Sequence, residues 1–220
     1  MQRLLFFLLF FLNGIANAQK PAKRVLRSPN DFQGIGAILN LKNGKKLEGT
    51  IGIDFTKLHE EVSYRPDEGK ERTFPVEDVI SYDINDRVFL LCDMDTAGSG
   101  LKFNRRFCLR SSETFNSLVL YQLDYLASDL VIPLASPFIN TSKMYFVMVP
   151  ALSKNKIIYT LGPKLVPDFD TKVAIALKKL LPLSTKIAMK DKGYFYDQTT
   201  PVNMVARIWK TIVEEYNASN

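Results

Sequence analysis

The sequence predicts an α+β protein, mainly antiparallel β, in which a small barrel or rolled sheet is extended by further strands and C-terminal helices pack on it. Three observations carry that prediction. Between residues 34 and 92, short apolar-alternating runs are separated by turn residues. From residue 101 to 161 strand-like runs continue, with no glycine- or serine-rich linker dividing them from the first half. After Asp168 the apolar period changes from two to three and four, the helical repeat.

The first element is a hairpin over residues 34–55. Ile35, Ala37, Leu39 and Leu41 form one alternating set, Asn43-Gly44 marks a turn, and Leu47, Gly49, Ile51 and Ile53 form the returning set. Directly opposed residues of an antiparallel pair point to the same face, so burying both sets together requires a loop of odd length. The expected loop has three residues, Asn43-Gly44-Lys45 or one residue earlier, with Gly44 left-handed beside a bulge. Gly49 and Gly52 either permit the sharp bend of a rolled sheet or are simply tolerated. A second hairpin joins residues 62–65 to 72–74 through Pro66-Asp67-Glu68-Gly69, whose proline and glycine occupy the positions a type I turn prefers. Pro75-Val76-Glu77-Asp78 then turns the chain into a strand over 79–84, and Asn85-Asp86 reverses it into 87–92.

Further strands are expected over 101–110, 117–123, around 130–132, over 144–149 and over 156–161. Residues 144–149 are apolar throughout, which suits an interior strand covered on both faces. Asp168 can cap a helix running to about Leu181, with Val173, Ala176, Leu177 and Leu180 on one face, Lys172, Lys178 and Lys179 off it, and Pro182 ending it. A shorter helical turn covers 184–190. Thr200 caps and Pro201 opens a last helix to about Asn217, with Val205, Ile208, Trp209, Ile212 and Tyr216 on a sealing face.

The N-terminus reads as an export signal. Arg3 supplies the charge, residues 4–12 the apolar core and Ala16-Asn17-Ala18 the small-residue pattern, so residues 1–18 form a signal peptide cut between Ala18 and Gln19. That core is well short of the roughly 18 residues a membrane helix needs. Residues 19–30, with Lys20, Lys23, Arg24 and Arg27 among prolines, form a disordered basic leader. A β-rich region over 31–163 and a helical cap over 164–220 follow, and 19–220 can be one continuous domain. The expected product is secreted or periplasmic, without a transmembrane span.

Lys and Arg number 29 against 23 Asp and Glu, a net charge of +6 that falls by one when Arg3 leaves. The basic residues are scattered, and an exported location argues against nucleic acid as partner. A weak contact with an anionic membrane through the leader is compatible with them. Cys92 and Cys108 flank the turn-rich residues 95–100 and sit in apolar runs. They can bridge across a hairpin, worth roughly 3 kcal/mol in the chain-entropy picture, or pack reduced as small hydrophobes.

The stretches Lys42-Asn43-Gly44-Lys45-Lys46-Leu47-Glu48-Gly49 and Phe74-Pro75-Val76-Glu77-Asp78-Val79, with the ending Ile208-Trp209-Lys210-Thr211-Ile212-Val213-Glu214-Glu215-Tyr216-Asn217, resemble uncharacterised small secreted proteins of Gram-negative bacteria. The first half of those proteins is similar to an Sm-like or SH3-like barrel. The resemblance implies an exported location and that fold. It carries over no catalytic residue.

Candidate chemistry is sparse. His59 is the one imidazole, so neither a catalytic residue, a metal ligand set nor a cofactor is expected. Asp93-Met94-Asp95-Thr96-Ala97-Gly98 echoes the start of a calcium loop, but Ala97 and Asn104 stand where ligands belong. Tyr194, Phe195 and Tyr196 cluster in a loop between helices, where they can anchor a partner or pack back onto the fold. The expected function is a non-catalytic binding or structural module of the envelope, acting on another protein or a cell-surface polymer. The alternative is a hydrolase of envelope carbohydrate or peptide, which needs two carboxyls about 5–9 Å apart.

Overall fold

An odd-length turn starts the fold. The computed structural model describes residues 34–52, 61–111, 118–131 and 142–219. The junction between Ala18 and Gln19, the basic leader and His59 lie outside them. Strands β1 (Gly34–Leu41) and β2 (Lys46–Gly52) set Leu39 opposite Leu47 and Ala37 opposite Gly49. The Leu41 N–H donates to the Lys45 carbonyl at 2.9 Å, leaving Lys42-Asn43-Gly44 as a three-residue loop. Gly44 takes φ +82, the left-handed geometry the loop needs. Ala37, Leu39, Leu41 and Ile51 are buried together, as the parity argument requires.

Strands β3 (Glu61–Arg65) and β4 (Arg72–Pro75) continue the sheet from β2. Gly49 decides how closely β3 approaches: a Cβ there would stand 2.4 Å from the Arg65 carbonyl oxygen. The Tyr64 hydroxyl donates to the Glu48 carbonyl at 2.8 Å across the same crossing. On its other side β1 pairs with β5 (Val79–Ile84). A two-residue turn, Asn85 and Asp86 with φ 48 and 61, returns the chain into β6 (Arg87–Asp95).

Strands β7 (Arg105–Arg110), β8 (Val119–Tyr125), β9 (Ser142–Met148) and β10 (Ile157–Tyr159) follow in antiparallel succession. Strand β10 then pairs in parallel with β6, Ile157 opposite Met94, and closes β6–β10 into a five-stranded mixed barrel. The closed barrel thus lies later in the chain than the resemblance implied. The first five strands form a rolled extension ending at β4. Strand β6 outruns its expected end because Asp93 and Asp95 alternate outward while Cys92 and Met94 face the barrel interior. Those two acids pair with Arg105 and Lys164, so they are strand residues and not calcium ligands.

Strand alternation distributes three cores. Cys92, Met94, Cys108, Tyr121, Leu123, Met144, Phe146 and Ile157 fill the barrel. Tyr82, Phe89 and Phe107 belong to the core under the rolled extension, with the Tyr82 and Phe89 rings stacked at 4.7 Å. Leu120, Val147, Val149 and Ile158 meet the helices. Residues 144–149 are therefore covered on both faces.

Helices α1 (Pro150–Ser153), α2 (Phe169–Ala176), α3 (Leu181–Ala188) and α4 (Val202–Ala218) complete the chain. Helix α2 stops one turn early, and Pro182 sits in the first turn of α3, where its missing N–H costs nothing. Asp168 engages Lys172 through its side chain, and the Thr200 hydroxyl accepts from the Asp197 N–H, so neither side chain caps its helix. The expected sealing face holds: Val205, Ile208, Trp209 and Ile212 are buried and Tyr216 half-buried.

Candidate functional site

The three aromatic residues between α3 and α4 part ways. Tyr196 is fully buried, its ring 4.1 Å from Phe169 and 6.4 Å from Trp209. The Trp209 indole N–H donates to the Tyr196 hydroxyl at 3.1 Å, and that hydroxyl donates to the Thr160 carbonyl. Thr160 in turn donates from both N–H and Oγ1 to the Tyr145 carbonyl, each at 3.0 Å. A chain of donors thus runs from α4 to β9. As a member of a binding loop Tyr196 has to be corrected: its ring is core and its polar tip is satisfied inside.

Phe195 is half-buried, edge-on to Phe169 at 6.2 Å, with the Lys190 ammonium 4.9 Å from its ring centre. The Tyr194 hydroxyl donates to Glu215 at 2.6 Å, and the Lys186 ammonium reaches both Glu215 oxygens at 2.9 Å. The Tyr194 hydroxyl first, then Lys186, holds the Glu215 carboxyl below its ordinary range, and the bond to Glu215 raises the Tyr194 hydroxyl. These contacts pin the loop to α3 and α4.

Cys92 and Cys108 are free, buried thiols. Cys92 stands opposite Arg106 and Cys108 opposite Leu90, so the two share a face on a diagonal. Diagonal neighbours have Cα atoms about 7–8 Å apart, beyond the span of a relaxed disulfide. The Cys108 sulfur lies 3.9 Å from that of Met94 and also interacts with the Cys92 thiol, as a reduced pair does. Burial raises the Cys108 thiol well above its ordinary value, which leaves it protonated and unreactive.

Among the described residues Arg106 is the charged group most deeply enclosed. It occupies the barrel end where β6 and β8 finish and β7 begins, with both terminal nitrogens 3.4 Å from Asp129 and its guanidinium 3.7 Å from the Phe103 ring centre. Asp129 also accepts from the Leu126 N–H at 2.8 Å. Burial lowers the Arg106 pKa while Asp129 opposes that shift, so the pair clips the β8 exit to β7.

Among the described residues, the carboxyls that depart from their ordinary values all move down: Glu71 through Arg65, Asp197 through Thr199, and Glu215 as above. A general acid needs the opposite shift. Among the described residues no three of His, Cys, Asp or Glu converge as metal ligands, and no helix is long and apolar enough to cross a membrane.

The surface carries a signal the sequence reading passed over. Among the described residues, apart from Ile80 and Val131, the exposed large apolar side chains are Ile175, Leu181, Met189, Val202 and Met204, all in the helical cap. Ile175 lies outside the set Val173, Ala176, Leu177 and Leu180, on the side where Lys178 and Lys179 recur. That offset was the available clue.

The class this architecture defines is an α+β protein with a closed five-stranded mixed barrel, a rolled strand extension and a helical cap. No family model, curated protein or solved structure matches the chain.

Proposed function

We propose that the protein is a non-catalytic binding or structural module exported to the bacterial envelope, acting through its surface on another protein or a cell-surface polymer. One observation carries the reading: the ionisable side chains brought together by the fold are engaged in structural pairs, and the shifted carboxyls are shifted away from acid catalysis. The leader pattern over residues 1–18 and the resemblance to small secreted proteins support export.

The test is incubation of the chain from Gln19 with isolated envelope polysaccharide and peptide, followed by separate measurement of retention and of released products. Retention without release is expected. Release that disappears in Glu215→Gln or Asp129→Asn, with thermal melts showing each variant folded, would establish the hydrolase instead.

A further inference from the structure

The corner between α2 and α3 presents apolar and cationic side chains close together in the chain. Ile175 is 61% exposed and Leu181 69% exposed, and Lys178 and Lys179 lie exposed between them in the chain. The corner is firmly built: the Ser184 hydroxyl donates to the Ala174 carbonyl at 2.8 Å, and Val173, Leu177, Leu183 and Ile187 are buried beneath it. Its exposed side chains are thus presented by an ordered turn. The neighbouring lysines are committed, Lys172 to Asp168, Lys186 to Glu215 and Lys190 to Asp170. Lys178 and Lys179 have no ion-pair partner among the described residues.

We infer that this corner is a membrane-contact site for an anionic lipid surface, with Ile175 and Leu181 entering the headgroup boundary and Lys178 and Lys179 lying at the level of the lipid charges. The charge pattern selects that occupant. A specific protein interface takes about 20–30 residues a side, and the stretch 175–181 is far shorter than that. A lipid surface asks for less, because shallow apolar insertion with adjacent cations gives reversible attachment. The inference rests on the binding-module reading and names one surface through which that module acts. The contact expected from the sequence lay in the basic leader; this one lies in the folded cap.

The test is sedimentation of the chain from Gln19 with vesicles of phosphatidylcholine alone and of phosphatidylcholine with phosphatidylglycerol. Variants are Ile175→Ser with Leu181→Ser, and Lys178→Gln with Lys179→Gln. All keep the basic leader, and thermal melts confirm that each is folded. Selective binding to the anionic vesicles is expected, weakened about fivefold per lysine removed and at least tenfold by the serine pair. Anionic binding that is unchanged in both variants, or no binding by wild type, overturns the inference. If the lipid contact is overturned in that way, retention on polysaccharide or protein by wild type still leaves the binding-module reading standing.

Discussion

One hydroxyl joins three parts of the molecule. The Tyr196 oxygen accepts from Trp209 on α4 and donates to the carbonyl of Thr160, which is itself tied to β9. Tyr196→Phe keeps the ring against Phe169 but leaves the Trp209 N–H and the Thr160 carbonyl buried without that partner. Unsatisfied buried groups cost about 1–3 kcal/mol each, so a loss of about 2 kcal/mol in urea unfolding is expected with the fold retained. Tyr194→Phe, which breaks a half-buried bond to Glu215, should cost clearly less. Equal losses would show that the donor chain has no special weight. Sequence could not separate the two tyrosines. They lie in a loop with no period to assign faces, and only the path of the turn after Gly193, with φ +91, sends the second one inward.

At the scale of elements, the first hairpin was readable because parity leaves few choices. Leu39 and Leu47 share a face only if the loop is odd, and Gly44 accepts the left-handed position that such a loop requires. Gly49 was ambiguous between a bend and mere tolerance, and the close pass of β3 resolves it. Gly49→Ala should therefore destabilise by about 1–3 kcal/mol through overpacking, seen as a lower melting temperature. Gly52→Ala, whose Cβ would meet Ser63 at an ordinary 3.5 Å among the described residues, should change little. A comparable loss at both positions would point to general strand entropy as the cause. Misreadings of the helical region have a common origin. Pro182 stops one helix or starts the next by the same chemistry, and local sequence does not say which. Asp93 and Asp95 likewise resemble loop residues until the strand opposite supplies Arg105.

For the whole molecule, the helical cap and the meander of strands were legible from period and turn chemistry, whereas the barrel's closure was not. It depends on Ile157 meeting Met94 in parallel, and a three-residue strand carries almost no local signal. The three cores also share a property visible only after folding. Each encloses a tyrosine: Tyr82 under the extension, Tyr121 in the barrel and Tyr196 beneath the cap. Burial pushes the Tyr121 hydroxyl up to about 12 and raises Tyr82 and Tyr196 as well. The fold holds the neutral forms, while the unfolded chain ionises near the ordinary value of 10.0. The stabilisation from keeping them neutral is therefore full below pH 10 and is lost progressively above it, for Tyr121 until pH reaches about 12. The urea midpoint should fall steadily between pH 9.5 and pH 11.5. A midpoint constant across that range would contradict the expectation.

The parallel pairing of β10 with β6 also imposes a timetable. Strands β1 to β5 find their neighbours among nearby segments, so the rolled extension can assemble while the chain is still being made. The barrel cannot close until Ile157 has arrived beside Met94. The two thiols that end buried in the barrel, Cys92 and Cys108, are therefore enclosed by a fold whose closing contact is non-local.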